Sequence, residues 1–194
     1  MTEYTAGIRE YLSQLQQVIA ALDMVEMDIA VETFRKAYEE DRTIFVLGDG
    51  GSAATASHLA CDLNKDACFH AAKKFRVMAL NESVATLLAI GNDASFDDVF
   101  VEQLKNFARP GDVVVGISGS GNSPNILKAV EYANTLGCTT VGFCGYDGGR
   151  LKPMVHRCFH VRFHDMHIVQ DVHMILVHIM ARLLSVKGEH SCGG

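Results

Sequence analysis

What the sequence lacks excludes several classes of protein. Its 194 residues carry a formal net charge of −6 and contain no clustered block of lysine and arginine, which a nucleic-acid-binding surface would require. No apolar run approaches the roughly 18 residues of a membrane-spanning helix, and the polar, acidic N-terminus is not typical of a signal peptide. We therefore expect a protein that binds neither nucleic acid nor membranes.

The cysteines form neither a paired framework nor a Cys-x-x-Cys motif. They are Cys61, Cys68, Cys138, Cys144, Cys158 and Cys192. Several fall within predicted strands or helices of the core, where a free thiol behaves as a small apolar group. This pattern is typical of a reducing compartment, and we predict a cytoplasmic protein with free thiols.

The chain is predicted to form one domain. Hydrophobic residues make up 48% of it, enough for one sizeable core, and no repeat, low-complexity tract or long linker divides it. Apolar residues recur with helical periodicity from Ile8 to Leu22 and from Val25 to Tyr38. We assign residues 1–40 to these N-terminal helices, 41–186 to an α/β core and 187–194 to a frayed tail. The two helices could pack on a neighbouring subunit or cover their own sheet.

Short apolar runs alternate with helical segments along the core. Strands are predicted at 44–47, 76–80, 113–117, 139–144 and 157–163, and helices at 53–63, 82–90, 97–107, 124–136 and 167–186. Short strands that alternate with helices predict a parallel sheet covered on both faces. The predicted fold is therefore α/β, a doubly wound five-stranded sheet in the order 2-1-3-4-5, in which strands 1 and 3 are neighbours at the switch point.

A glycine-rich loop, Gly48-Asp49-Gly50-Gly51-Ser52, connects the first strand to an alanine-rich helix. Glycine backbone can approach a phosphate closely, and the first N–H groups of a helix are unpaired and lie at the positive end of its dipole. Ser52 is predicted to cap this helix and to offer a hydroxyl. His58 and Asp62 are spaced i and i+4, so both project from one helix face, and the loop and the pair together suggest a catalytic site.

The same loop also satisfies a dinucleotide-binding fingerprint. Gly48, Gly50 and Ala53 form a Gly-x-Gly-x-x-Ala motif after a strand. The acidic residue that should follow about 20 residues later would have to be Glu82, which lies about thirty residues on. This late position disfavours a nicotinamide or flavin cofactor.

A second loop, Ser118-Gly119-Ser120-Gly121-Asn122-Ser123, lies between the third strand and the next helix. Its three serines supply hydroxyl and backbone donors for a compact dianion. Ser123 is predicted as the N-cap of the helix, with Pro124 in its first turn. Because strands 1 and 3 are predicted to be neighbours, the two loops should flank one crevice. This arrangement favours a phosphate ligand and fits a phosphorylated sugar.

Together these motifs resemble the sugar-isomerase (SIS) domain, and most closely its phosphoheptose isomerase family. The resemblance covers nearly the whole chain and is carried by residues 48–53, His58 with Asp62, 90–93, 118–123, and Gln170 with His178. That family converts sedoheptulose 7-phosphate into D-glycero-D-manno-heptose 7-phosphate. The resemblance implies a homotetramer with active sites between subunits, a phosphate held by the serine loop, and one zinc ion, or another divalent metal, per subunit.

The resemblance also implies roles for individual residues. Asp62 is the implied catalytic base and His178 the implied acid. The implied metal ligands are His58, Asp62, Gln170 and His178. The implied substrate-binding residues are Asp49, Gly50, Gly51, Ser52, Asp62, Asn92, Asp93, Ser118, Gly119, Ser120, Ser123 and Gln170. Three positions depart from the usual family residues: Asp49 stands for Asn, Asp62 for Glu and Gly119 for Thr.

Helix geometry ranks the possible metal ligands. On an ideal helix, Gln170 and His178 lie about 80° apart around the axis and about 12 Å apart along it. Zinc bonds are about 2.0–2.2 Å long, so both residues can reach one ion only if Gln170 lies at or before the helix start. His173 lies about 140° around the helix from His178 and is expected in the core or an interface. The remaining histidines considered, His156, His160, His164 and His167, are expected to be solvated or structural.

The departures at Asp49, Asp62 and Gly119 leave two alternatives open. The chain could isomerise a different sugar phosphate, because Asp62 is one methylene shorter than the family Glu. It could also be a non-catalytic SIS module that binds phosphosugars or organises protein partners. Such a module needs the serine loop and a helical interface but has no use for an acid–base pair, so the presence of Asp62 and His178 favours the enzyme.

Overall fold

A five-stranded parallel sheet in the order 2-1-3-4-5 forms the centre of the fold. The computed structural model describes residues 3–186; the predicted tail at 187–194, with Cys192, lies outside them. The strands are β1 (Thr43–Gly48), β2 (Arg76–Ala79), β3 (Val113–Ser118), β4 (Thr139–Cys144) and β5 (Arg157–His160). Ile44 in β1 pairs with Val77 on one side and Val113 on the other. The predicted fold class and strand order are confirmed.

Within residues 3–186, seven α-helices surround this sheet. They are α1 (Glu3–Ala20), α2 (Met24–Glu39), α3 (Gly51–Cys61), α4 (Val84–Asp93), α5 (Val101–Phe107), α6 (Pro124–Leu136) and α7 (Met166–Leu183). Alternate side chains of β1 enter two separate cores, because successive residues of a strand point to opposite faces. Ile44 and Val46 pack with residues of α2, α3 and α7, whereas Phe45 and Leu47 pack with α5 and α6. Helices therefore cover both faces, as predicted.

The two N-terminal helices are placed differently. Helix α2 covers its own sheet, with Ala30, Phe34 and Ala37 buried. Helix α1 packs beside α7, where the Tyr11 hydroxyl donates a 2.6 Å hydrogen bond to Asp171. The first turns of α1 leave Tyr4, Ile8 and Leu12 exposed. The sequence left open whether these helices cover their own sheet or pack on a neighbouring subunit. Helix α2 covers its own sheet, whereas only part of the α1 surface packs within the chain.

The start of α3 differs from the sequence prediction. The helix begins at Gly51, and its N-cap is Gly50, whose φ of 53° is a left-handed value that favours glycine. The prediction that Ser52 caps the helix is wrong: Ser52 lies inside the first turn and is buried. After Cys61 the chain continues as one π-helical turn, Asp62–Asp66, a local geometry that is frequent at functional sites.

Other boundaries also shift. The sequence places Asn92 and Asp93 in a link between helices, but α4 extends through Asp93, and its last turn closes with the Ala94 N–H donating to Ile90. The helix predicted at 97–107 is interrupted: a 3₁₀ turn at Phe96–Asp98, capped by Ser95, precedes α5. Strand β5 ends at His160 instead of 163. Among residues 3–186, no helix is both long enough and apolar enough to cross a membrane.

Candidate active site

The glycine and serine loops lie side by side at the carboxyl end of the sheet. Gly48 at the end of β1 is in register with Ile117, the residue before Ser118 in β3. The Asn125 side chain, in the first turn of α6, donates a 3.0 Å hydrogen bond to the Asp49 carboxylate and so links the two loops. The two loops are therefore neighbours at the switch point, as predicted.

Close packing explains the glycines of the first loop. A Cβ at Gly48 would overlap the backbone carbonyl of Ser52, and a Cβ at Gly51 would overlap the side-chain amide of Gln170. The loop therefore lies tightly under α7, and the backbone N–H groups at the start of α3 lie beside Gln170. Within this turn, the Ser52 and Ala53 N–H groups both donate to the Asp49 carbonyl.

Hydrogen bonds between its own side chains hold the serine loop in place. The Ser118 and Ser123 hydroxyls are 3.0 Å apart, and the Ser120 hydroxyl accepts from the Asn122 backbone N–H at 3.2 Å. Ser123 occupies the predicted N-cap position of α6, but its hydroxyl bonds Ser118 and not a helix N–H. All three predicted serines therefore meet in one turn at the positive end of α6.

Met166 packs directly onto the serine loop. Gly119 is buried, and a Cβ at that position would overlap the Met166 sulfur, which lies in the first turn of α7. This contact gives a structural reason for glycine at the position where the family usually has threonine. The loop consequently presents hydroxyls from Ser118, Ser120 and Ser123 and none from residue 119.

A histidine–aspartate–histidine cluster lies further along α3 and α7. The His58 Nε2 atom is 3.4 Å from an Asp62 carboxylate oxygen and 3.0 Å from the His178 Nε2 atom. One ligand atom from each of the three residues lies within 4.8 Å of the others. Asp62 is nearly buried, whereas the His58 side chain is 43% exposed, so the cluster opens to the surface on its histidine side.

The donor set of this cluster fits a divalent metal ion. Imidazole and carboxylate ligands suit zinc and neighbouring transition metals. Ligand atoms around a tetrahedral ion with bonds of about 2.0 Å lie about 3.3 Å apart. The measured separations of 3.0 and 3.4 Å from His58 are close to that value. The 3.0 Å distance also fits a hydrogen bond between the two imidazoles, so the geometry is compatible with the cluster both with and without a bound metal ion.

Gln170 lies apart from this cluster. It is the fifth residue of α7, inside the helix and not at its start, so the condition for sharing an ion with His178 is not met within one chain. Its amide packs against Gly51 at the glycine loop, a position suited to contacting a substrate. Asn92 and Asp93 are both exposed at the end of α4, where the Asn92 amide donates to Asp93 at 2.8 Å.

The remaining histidines take the positions expected for them. His173 is fully buried in the core and donates from Nε2 to the Cys144 carbonyl, and burial lowers its pKa to about 4. His156 accepts from the Thr140 backbone, and His160 bonds the Tyr146 carbonyl, so both are structural. His164 and His167 are exposed.

Two residues near the site were not identified from the sequence. Asn125 holds the Asp49 carboxylate, and burial, opposed by this hydrogen bond, raises the pKa of Asp49. Met166 covers Gly119. Both contacts join residues more than 40 positions apart, and neither residue belongs to a motif, so the local sequence carries no signal for them.

This fold and site define an α/β domain with a glycine loop and a serine loop at the switch point of its sheet and a histidine–aspartate–histidine cluster nearby. Residues 3–145 match the family model described as "SIS domain". The chain is 36% identical over 193 residues to the phosphoheptose isomerase of Geotalea daltonii, covering 93% of this chain and 96% of that protein. The chain therefore belongs to the SIS domain family and, within it, to the phosphoheptose isomerases.

Solved structures of the same family have the same fold. A phosphoheptose isomerase from Neisseria gonorrhoeae superposes with a TM-score of 0.84 at 31% identity, covering 93% of this chain and 96% of that one. Another from Francisella tularensis has a TM-score of 0.88 at 27% identity, covering 96% of this chain and all of the other. The similarity thus extends over essentially the entire chain in each case.

Proposed function

We propose that the chain is a ketose–aldose isomerase that converts sedoheptulose 7-phosphate into D-glycero-D-manno-heptose 7-phosphate through an enediol(ate). The observation that carries this proposal is the cluster that His58 and Asp62, at the end of the helix that begins at the glycine loop, form with His178 of α7. His58 follows Gly51 by seven residues, which is about 10 Å along the helix axis. The carbon chain of a sugar phosphate held at the glycine loop can span that distance to the cluster, whereas free phosphate cannot.

The serine loop is the proposed phosphate site. Its three hydroxyls and the N-terminus of α6 supply donors without a fixed positive side chain. Gln170 and the backbone of Gly50 and Gly51 are then placed to contact the sugar hydroxyls. The Asp49 carboxylate, held by Asn125, faces the same crevice and accepts hydrogen bonds from a polyol.

Asp62 is the proposed base that moves a proton between C1 and C2. Its side chain is 11% exposed and is fixed at the junction of α3 and the π turn, so it can return the same proton with little exchange with water. His178 is the proposed acid that assists ring opening and protonates the oxygen of the intermediate. The His178 side chain is more exposed than that of Asp62, which leaves room for the sugar to lie between His178 and the solvent.

The proposed metal ligands are His58, Asp62 and His178, with zinc as the first candidate among divalent ions. When bound, such an ion would supply Lewis-acid stabilisation of the oxyanion that develops at C1 or C2. Gln170 remains a proposed substrate contact, and its position two helical turns before His178 makes it the weakest of the four implied ligands. Asn92 and Asp93 remain proposed substrate contacts.

We further propose a cytoplasmic homotetramer. Tyr4, Ile8 and Leu12 recur every four residues along α1 and are all more than half exposed. Val84 and Leu88 form a second exposed apolar strip on α4, which has no buried residue. Exposed apolar strips of this kind mark protein–protein interfaces. Light scattering of Leu12→Glu should report smaller particles than the native chain; an unchanged mass would argue against an α1 interface.

The activity is tested by incubating the purified chain with sedoheptulose 7-phosphate and, separately, with a panel of pentose and hexose phosphates. Formation of the aldose isomer, followed by chromatography and mass spectrometry with a positional proton label, should occur with sedoheptulose 7-phosphate. Preferred turnover of another sugar phosphate would change the substrate and keep the reaction class. Absence of turnover of sedoheptulose 7-phosphate and of every other sugar phosphate in the panel would refute the proposed isomerase activity.

A further inference from the structure

Two thiols face each other across the last two strands, away from the proposed active site. The Cys144 and Cys158 sulfur atoms are 3.2 Å apart. In the ladder, Cys144 pairs with His160 and Gly142 pairs with Cys158, so the two cysteines are offset by two residues and project from the same face of the sheet. None of the residues proposed for substrate or metal binding belongs to this pair.

The two thiols differ in accessibility. Cys144 is completely buried, whereas Cys158 is partly exposed and lines a cavity of about 830 Å³ between α2 and the edge strand β5. Lys152 and His160 line the same cavity, and the Lys152 ammonium lies 3.1 Å from the His160 Nδ1 atom. A small reagent can therefore enter beside Cys158 and reach Cys144 only through it.

Local electrostatics distinguish the two thiols further. A hydrogen bond from the Cys144 thiol lowers the pKa of Cys158, and the Lys152 charge acts in the same direction, whereas burial and the Glu26 carboxylate oppose both effects. The pKa of Cys144 is raised by the same hydrogen bond and by burial. Because the cavity reaches Cys158 and Cys144 is buried behind it, Cys158 is the attacking sulfur and Cys144 the resolving one.

We propose that Cys144 and Cys158 form a redox-active dithiol that low-molecular-weight disulfides, such as oxidised glutathione, convert into an intramolecular disulfide. The Cys158 thiolate attacks one sulfur of the small disulfide and releases its first half as a thiol. Cys144 then loses its proton and attacks the Cys158 sulfur, releasing the second half. Two protein thiols are oxidised and one small disulfide is reduced to two thiols, so electrons and protons balance.

Formation of the Cys144–Cys158 disulfide would affect the serine loop. Cys144 is the β4 residue in register with Ser118, and the next residue, Gly145, donates its N–H to the Gly119 carbonyl at 2.8 Å. Bond formation brings the sulfurs from 3.2 Å to about 2.05 Å and pulls the end of β4 toward β5. This second step rests on the proposed function, and it predicts weaker phosphosugar binding in the oxidised chain.

The dithiol is tested on the full chain in buffers of reduced and oxidised glutathione, quenched with iodoacetamide and analysed by intact mass and peptide mapping. The oxidised native chain should carry two fewer carbamidomethyl groups than the fully reduced and alkylated chain, and it should yield a peptide linking Cys144 to Cys158. Cys144→Ser should instead stop at a glutathione adduct on Cys158, and Cys158→Ser should yield neither product. Cys61→Ser, a change at an exposed thiol outside the pair, should still form the link.

A native chain that accumulates glutathione at Cys61 without forming the Cys144–Cys158 link would overturn the proposal. The native chain needs no substitution for this measurement, so a variant that fails to fold does not affect it. Turnover is measured separately on reduced and oxidised protein. Equal turnover in both would refute the link to the serine loop, whereas absence of turnover in the reduced chain would refute the proposed function and leave the disulfide mapping unaffected.

Discussion

The Nε2 atoms of His58 and His178 lie 3.0 Å apart, although the two residues are separated by 120 positions in the chain. The contact exists because α3 and α7 pack side by side against the same core. Gln170 meets Gly51 at the start of α3, and His178 meets His58 two turns later. One helix pair therefore joins the proposed sugar-binding loop to the proposed metal ligands.

Removal of either histidine of the cluster should abolish stoichiometric metal binding. We expect about one divalent ion per native subunit after purification without chelator, and at least about a tenfold lower occupancy in His58→Ala and His178→Ala, because two ligands hold a borderline metal poorly. Elemental analysis measures this directly. His167→Ala is the matched control, since His167 lies on the same helix, is exposed and is outside the cluster.

Equal metal content in all three variants and the native chain would contradict the proposed ligand set. A native chain that carries no metal yet shows full isomerase activity would refute the Lewis-acid role while leaving the residues free to act as an acid–base pair. Comparison of His58→Ala with His178→Ala then separates the two roles, because only His178 is proposed to transfer a proton.

Substitutions at Asp62 and Ser120 should separate catalysis from binding. Asp62→Asn keeps the shape of the side chain but removes the base, so turnover should fall by at least about 100-fold while phosphosugar binding persists. Ser120→Ala removes one hydroxyl of the serine loop and should mainly weaken binding. Calorimetric titration with the phosphosugar and steady-state kinetics measure the two effects.

The same pair of variants tests the non-catalytic alternative. A binding module would respond only to Ser120→Ala and would be indifferent to Asp62→Asn. Asp62→Glu adds a third arm: higher turnover than the native chain would mean that the shorter aspartate limits this enzyme, and lower turnover would mean that the crevice is adapted to it.

Much of the fold could be predicted from the sequence because its signals are local. The β-branched runs, the glycine and serine loops and the Ser123–Pro124 helix start each depend on neighbouring residues. With the rule for doubly wound sheets they predicted the strand order that is observed. The i, i+4 spacing of His58 and Asp62 correctly places both residues in one cluster.

Contacts set by packing could not be predicted in the same way. The link from Asn125 to Asp49 spans 76 positions, and the cover of Gly119 by Met166 depends on where α7 begins. Ser52 fails as a cap because the glycine-rich loop lets the backbone turn two residues earlier, at Gly50. The contacts of Asn125 and Met166 follow from the close approach of distant segments.

The contact between Gly119 and Met166 should limit what residue 119 can be. Gly119→Ala should destabilise the fold by about 2 kcal/mol, because φ at Gly119 is not positive and overlap with the Met166 sulfur is the dominant effect. Met166→Ala in the same chain should recover most of that loss. Urea unfolding of the single and double variants gives the coupling energy directly.

Gly7→Ala is the matched control for this cycle. Gly7 lies inside α1, and a Cβ there meets nothing within 4 Å, so the substitution should stabilise the chain by up to about 1 kcal/mol through helix propensity. Additive effects of Gly119→Ala and Met166→Ala would mean that the two side chains do not compete for the same space.

His173 should make the folded state less stable in mild acid. Its pKa is lowered to about 4 by burial, opposed by the hydrogen bond to the Cys144 carbonyl, whereas an unfolded histidine has a pKa near 6.5. As pH falls below about 6.5, the unfolded chain takes up a proton that the folded chain does not, so stability is lost between about pH 6.5 and pH 4. Between pH 7.5 and pH 5 the loss should be about 2 kcal/mol.

The test measures urea unfolding at pH 7.5, 6.5, 5.5 and 5.0 for the native chain and for His173→Phe. The phenylalanine keeps an aromatic ring beside Phe143, and the Cys144 carbonyl keeps its bond from the Val161 N–H. The readout is the pH slope, which is independent of any constant packing cost of the larger ring. Over this range, the free energy of unfolding of His173→Phe should fall by about 2 kcal/mol less than that of the native chain. The free energy of unfolding of His167→Ala, at an exposed histidine of the same helix, should change as it does in the native chain. Parallel curves for the native chain and His173→Phe would show that His173 is not the group that titrates.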